Sequence, residues 1–132
     1  MAQRIPILVV DDDPDFLELV SYNLRLSGFS VSIADNGPTA LELARHYSHA
    51  VILLDTTMPG MDGLEVLSEL RHDPATEAIP VIMLTARTQL GDIDRAFEIG
   101  ANDYITKPVE LARLGAIVKA KLGKLSASPK SK

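Results

Sequence analysis

Acids cluster at Asp11-Asp12-Asp13, another stands at Asp55, a hydroxyl stands at Thr85 and an ammonium at Lys107. Each directly follows a short apolar run: Ile7–Val10, Ala50–Leu54, Val81–Leu84 and Tyr104–Thr106 respectively. Carboxylates held close together repel, and apolar neighbours limit their solvation. Such a group either takes up protons or encloses a cation. A hard divalent ion with oxygen ligands suits it, and Mg²⁺ usually takes one or two carboxylates and keeps several waters. A carboxylate is also a nucleophile toward phosphorus, forming an acyl phosphate. A lysine and a divalent ion would offset charge on a transferred phosphoryl group, and a threonine hydroxyl could donate to one of its oxygens. Asp55 is the strongest nucleophile candidate because it closes the central apolar run. Singly, each piece has a plainer reading. The acidic triplet is a solvated loop with a helix cap, and Met58-Pro59-Gly60-Met61-Asp62-Gly63 is a turn. Asp13 is explained by capping and is not assigned to a metal. His46, His49 and His72 fall in helix ends or loops away from these acids and read as surface residues. The joint placement at the ends of apolar runs carries the inference.

Five runs in all must position these groups, the fifth being Val31–Ala34. ILVV, AVILL and VIML are nearly continuous, as in strands covered on both faces. VSIA alternates and reads as an edge. Helical spacing links Phe16, Leu17, Val20 and Leu24, with Asp13 as N-cap, Pro14 at the first position and Gly28 as the stop. A second helix covers Pro38–Tyr47. A third follows Asp62-Gly63 with Leu64, Leu67 and Leu70, and ends before Asp73-Pro74. A fourth holds Ile93, Ala96, Phe97 and Ile99 in phase, with Gly100 as its stop. The fifth holds Leu111, Leu114, Ile117, Val118 and Leu122, with Gly123 ending it. Gly115 inside it costs about 1 kcal/mol relative to Ala and marks close packing. This alternation predicts a parallel sheet with helices on both faces. In such sheets ligands bind outside the carboxyl ends of the strands, where the candidate residues fall.

The chain has 132 residues, which suits one domain. With no Cys, disulfide scaffolds, thiolate metal sites and cysteine nucleophiles are excluded. No apolar run is long enough for a transmembrane helix, and MAQRIPILVV lacks the features of a signal peptide, so a cytoplasmic location is the default expectation. The formal net charge is -5, and all 18 acids lie at or before Glu110. An acidic body suits a cation and repels nucleic acid. Arg113, Lys119, Lys121, Lys124, Lys130 and Lys132 make the end basic, which fits a helix C-terminus followed by a soluble tail. The expected organisation is one domain over residues 1–123 and a flexible basic tail or linker stub over 124–132.

VVDDD at 9–13, LLDTTMPGMDG at 53–63, MLTAR at 83–87 and GANDYITKPVE at 100–110 together resemble the receiver domain of bacterial two-component response regulators. The resemblance runs from about Ile5 to Leu122. It implies a doubly wound, flavodoxin-like α/β fold with a five-stranded parallel sheet of order 2-1-3-4-5. It implies that Asp55 is the phosphoacceptor and that Asp12, with its neighbour Asp11, binds Mg²⁺ together with Asp55 and the backbone carbonyl of Thr57. Thr85 matches the switch hydroxyl, Lys107 the lysine that pairs with the phosphoryl group, and Tyr104 the aromatic switch. Ala86 matches the small residue beside the phosphoryl group, and the Lys107–Pro108 bond is expected to be cis. Thr57 and Arg87 match the positions that tune phosphoryl lifetime.

The implied function is a phosphorylation-dependent switch, not a turnover enzyme, that catalyses only its own phosphorylation and dephosphorylation. The implied donor is a sensor histidine kinase or a phosphotransfer protein. The signal would pass through the face of the fourth helix, fifth strand and fifth helix to a downstream protein or output domain. A phosphorylation-dependent homodimer is compatible with this, and neither direct nucleic-acid binding nor membrane association is expected of the domain. Three competing readings fit the residues less well. A haloacid-dehalogenase-type phosphatase needs its nucleophile at the end of the first strand and a second Asp two residues on. Asp11 and Asp13 have that spacing, but Asp13-Pro14 is better explained as a helix start. A flavin or nucleotide binder needs a phosphate loop where this chain has three acids. A receiver-like interaction module that is never phosphorylated would not need a competent residue at every site position.

Overall fold

The computed structural model describes residues 3–86 and 91–127. Five strands alternate with five helices: β1 (Ile5–Val10), α1 (Pro14–Leu26), β2 (Phe29–Ala34), α2 (Gly37–His46), β3 (Val51–Asp55), α3 (Gly63–Arg71), β4 (Val81–Ala86), α4 (Gly91–Ile99), β5 (Asp103–Lys107) and α5 (Leu111–Ala127). The strands form one parallel sheet of order β2-β1-β3-β4-β5. The alternating VSIA run lies in an edge strand, while the continuous runs form the three interior strands.

Side chains alternate across each strand, and the two halves of every interior strand feed two separate cores. Leu8 and Val10, Ile52 and Leu54, and Val81 and Met83 pack with Val66, Leu67, Leu70 and Ala96 from α3 and α4. Ile7 and Val9, Val51 and Leu53, and Ile82 and Leu84 pack with Leu17, Val20, Leu24, Leu114 and Val118 from α1 and α5. A strand buried on both faces has no room for polar residues, so polarity appears only where it ends. That end is where the candidate residues sit.

Capping fixes where the helices start. Asp13 accepts from the backbone N–H groups of Asp15 and Phe16, with Pro14 leading α1. Asp62 and Glu65 form a reciprocal capping box at the start of α3. Gly28 and Gly100 end α1 and α4 at φ 97° and 135°, a left-handed region that favours glycine. Gly123 does not end α5, contrary to the sequence reading. It keeps a negative φ, and the helix continues to Ala127. A glycine stops a helix only where the chain turns left-handed, and Lys124, Leu125, Ser126 and Ala127 are all compatible with a helix. Residues 128–132 of the expected tail lie outside the described residues. Among the described residues no helix is long and apolar enough to cross a membrane.

Candidate functional site

β1 and β3 are neighbours in register, Val10 beside Leu54, so the residues just beyond them meet at one end of the sheet. Asp11 is the first residue after β1 and Asp55 the last of β3, and they are 1% and 6% exposed. Asp11 accepts the Asp13 backbone N–H at 3.0 Å through one oxygen and the Lys107 ammonium at 2.7 Å through the other. Lys107 ends β5, two strands from Asp55, and its Nζ also lies 3.6 Å from Asp55 Oδ1. The Thr57 backbone N–H donates to the same Asp55 oxygen at 3.4 Å. Asp12 is exposed, and one oxygen each from Asp11, Asp12 and Asp55 lie within 4.8 Å of one another.

The turn after β3 is held against its neighbours. Thr56 donates both its backbone N–H and its hydroxyl to the Leu84 carbonyl, at 2.9 Å each. Gly63 then brings the start of α3 directly onto the end of β3. A Cβ there would lie 2.0 Å from the Asp55 carbonyl oxygen, so no other residue permits this approach. Thr85, 1% exposed, sits in β4 one position beyond Leu84, which pairs with Asp55. Ala86 pairs with Lys107, and the Lys107–Pro108 peptide bond is cis.

Burial raises the Asp55 carboxyl to about 6, with repulsion from Asp11 and Asp12 adding to it. The Lys107 ammonium and the Thr57 N–H pull the other way without restoring the ordinary value. Burial works to discharge Lys107, but its bond to Asp11 and attraction to Asp55 outweigh that and raise its pKa. One half-buried ammonium, bound to Asp11 and near Asp55, serves a cluster of three carboxylates, which leaves the cluster short of positive charge. Oxygen donors only, closely spaced and under-compensated, fit a hard divalent cation.

The structure brings together Asp11, Asp12, Asp55, Thr57, Thr85 and Lys107. Tyr104 on β5 lies outside this group but lines a cleft with Thr85; it is 38% exposed, with its ring edge-on to Phe97 at 6.3 Å between centroids. Phe97 itself is 44% exposed, although its helical phase suggested the core. It lies beside the apolar stripe of α4, of which Ala96 is the buried member. His46 and His72 are exposed, as read, but His49 is half-buried at the opposite end of the sheet, where burial lowers its pKa. Arg87 lies outside the described residues. The sequence reading missed Phe16, whose ring covers Lys107 at 4.6 Å. Its only sequence signal was its place in the first turn of a helix starting beside the acids.

The response regulator receiver domain family matches residues 7–119, and the chain belongs to that family. It is 40% identical over 125 residues to the DNA-binding dual master transcriptional regulator RpaA of Synechocystis, covering 95% of this chain and 52% of that protein. It is 43% identical over 114 residues to the response regulator PleD of Caulobacter vibrioides, covering 86% of this chain and 25% of that one. Among solved structures, it resembles the receiver domain of the Pseudomonas aeruginosa sensor histidine kinase PA1611, which has a magnesium ion coordinated in its active site cleft. There the TM-score is 0.81 at 31% identity, covering 92% of this chain and 99% of that one. The chain spans about half the length of RpaA and a quarter of that of PleD.

Proposed function

We propose that the chain is a phosphorylation-dependent switch in which Asp55 accepts the phosphoryl group. The observation that carries this is a buried carboxylate at the end of the central strand, with two further carboxylates and the Lys107 ammonium gathered around it. Family membership supports the same reading. With acetyl phosphate as donor, an Asp55 carboxylate oxygen forms a bond to phosphorus. The bond from phosphorus to the acetate oxygen breaks, and acetate leaves with the electron pair. No proton changes hands. Lys107 moves its charge from Asp55 onto the phosphoryl oxygens, and the Thr85 hydroxyl donates to one of them. Asp11, Asp12, Asp55 and the Thr57 carbonyl would hold a Mg²⁺, which supplies positive charge to the transferred group. In the cell the donor would be a phosphohistidine on a sensor kinase or phosphotransfer protein. The change would be read through α4, β5 and α5 by a downstream protein or an output domain in the cytoplasm.

The test is intact mass spectrometry after incubation with acetyl phosphate and Mg²⁺, with and without EDTA, beside Asp55→Asn. The expected result is a single phosphoryl adduct that needs the metal and is absent in the variant. No adduct, together with no binding of beryllofluoride, would overturn the reading.

A further inference from the structure

Three sides of the Lys107 ammonium are accounted for by named groups. Asp11 lies at 2.7 Å, Asp55 at 3.6 Å, and the face of Phe16 has its centroid at 4.6 Å. An ammonium within about 6 Å of an aromatic face is attracted by the ring quadrupole. The ring is itself held in place. The Phe16 backbone N–H donates to the Asp13 cap at 3.3 Å, and the side chain packs against the core on the α1 and α5 side of the sheet. A lysine stem is flexible and adopts many rotamers. The two carboxylates hold its tip unequally, Asp11 at hydrogen-bond distance and Asp55 beyond it. The ring closes a third side and leaves the ammonium near both acids.

We propose that Phe16 is a positioning residue for phosphoryl transfer: its ring holds Lys107 Nζ beside Asp55 before the phosphorus arrives. This rests on Asp55 being the phosphoacceptor. The bonds made and broken are those written above, and Phe16 touches none of them. Without the ring, the lysine stem regains its freedom, and the ammonium follows Asp11 or solvent. Transfer then has to wait for it to return.

The test compares wild type, Phe16→Leu and Phe16→Tyr, since leucine keeps apolar bulk without a ring face and tyrosine keeps the face. The first readout needs neither metal nor phosphoryl group: the NMR shift of the Lys107 methylene protons next to Nζ. In wild type and Phe16→Tyr these protons are expected upfield under the ring current, and in Phe16→Leu at their ordinary position. The second is the rate of adduct formation with acetyl phosphate and Mg²⁺. Phe16→Leu is expected to be about two- to fivefold slower, with Phe16→Tyr close to wild type. The methylene shift reports the contact between ring and lysine, while a rate lost in Phe16→Leu and kept in Phe16→Tyr reports positioning, which packing alone would not separate in this way. Ordinary shifts in wild type, an unslowed Phe16→Leu, or a Phe16→Tyr as slow as Phe16→Leu would each overturn the proposal. A wild-type chain that takes no phosphoryl group fails the phosphoacceptor reading instead, and the methylene shifts then judge the contact by itself.

Discussion

Asp55 carries the tension between folding and reactivity in one carboxyl group. Its pKa rises from 3.8 to about 6 because the strand that aims it also strips it of water, and Asp11 repels it besides. That shift has a stability consequence of definite sign. Below about pH 4 the group is protonated in both the folded and the unfolded chain, and there is no penalty. Between about pH 4 and 6 the folded chain keeps a proton that the unfolded chain releases, so stability falls as pH rises. Above about pH 6 the full penalty stands, of order 1–3 kcal/mol. Asp55→Asn removes it. In metal-free buffer the variant is expected to exceed wild type by about 1–3 kcal/mol at pH 8 and to lose that advantage near pH 4. Urea unfolding at the two pH values checks this, and a variant no more stable at pH 8 would show that the burial cost is not carried by Asp55. The type and place of this residue were legible in the sequence because a charged side chain ending a continuous apolar run is conspicuous. The covering ring of Phe16 was not. It reaches Lys107 only through the fold, and in the sequence it looks like one more member of an amphipathic helix.

At the scale of elements, strands were read more faithfully than helix ends. Every apolar run became a strand: four gained two residues each, as at Phe29 in β2 and Lys107 in β5, while Ala50–Leu54 shifted by one to Val51–Asp55. A glycine is ambiguous in sequence because the same residue serves a left-handed stop, a close contact or neither. Gly28 is a stop, Gly115 a contact and Gly123 neither. At Gly115 a Cβ would lie 2.1 Å from Ser27 Oγ and 2.3 Å from Ser27 Cβ, so α5 rests directly on the end of α1. Ser27 is the C-cap of α1, its N–H donating to the Leu24 carbonyl at 3.0 Å and the next N–H, of Gly28, to the Arg25 carbonyl at 3.1 Å, so it has little freedom to retreat. Gly115→Ala is therefore expected to lose about 1–3 kcal/mol, despite alanine's better helix propensity. Ser27→Gly in the same chain removes both clashing atoms and should restore most of that loss. Gly123→Ala, with nothing within 4 Å of the new Cβ, should instead gain up to about 1 kcal/mol. Thermal unfolding of the four proteins separates contact from propensity. Equal effects at residues 115 and 123 would refute the packing argument.

Across the whole molecule, the parallel sheet collects the acids, the hydroxyl and the ammonium at one end, and the proposed switch would carry its change from that end through β4, β5 and α4. Thr85 lies in a cleft with Ala96, Phe97 and Tyr104, and the cleft has no room for a water molecule. Tyr104, edge-on to Phe97, can turn inward only if Thr85 withdraws or α4 shifts. A phosphoryl group on Asp55, as proposed, would add about -1.5 to -2 charge and attract the Thr85 hydroxyl. On the proposed switch, withdrawal of Thr85 and entry of Tyr104 would be one event, with two arrangements of packed side chains rather than a graded deformation. In the unmodified chain, ring-to-ring NOEs between Phe97 and Tyr104 are expected. Saturation with beryllofluoride should remove them, with shift changes spreading over α4, β5 and the facing turn of α5, while β2 and α2 stay quiet. Thr85→Val keeps the shape but not the hydroxyl, so it should bind beryllofluoride and still retain the NOEs. Ring contacts that persist in the saturated wild type would break the link between Asp55 and Tyr104, whatever Asp55 itself can accept.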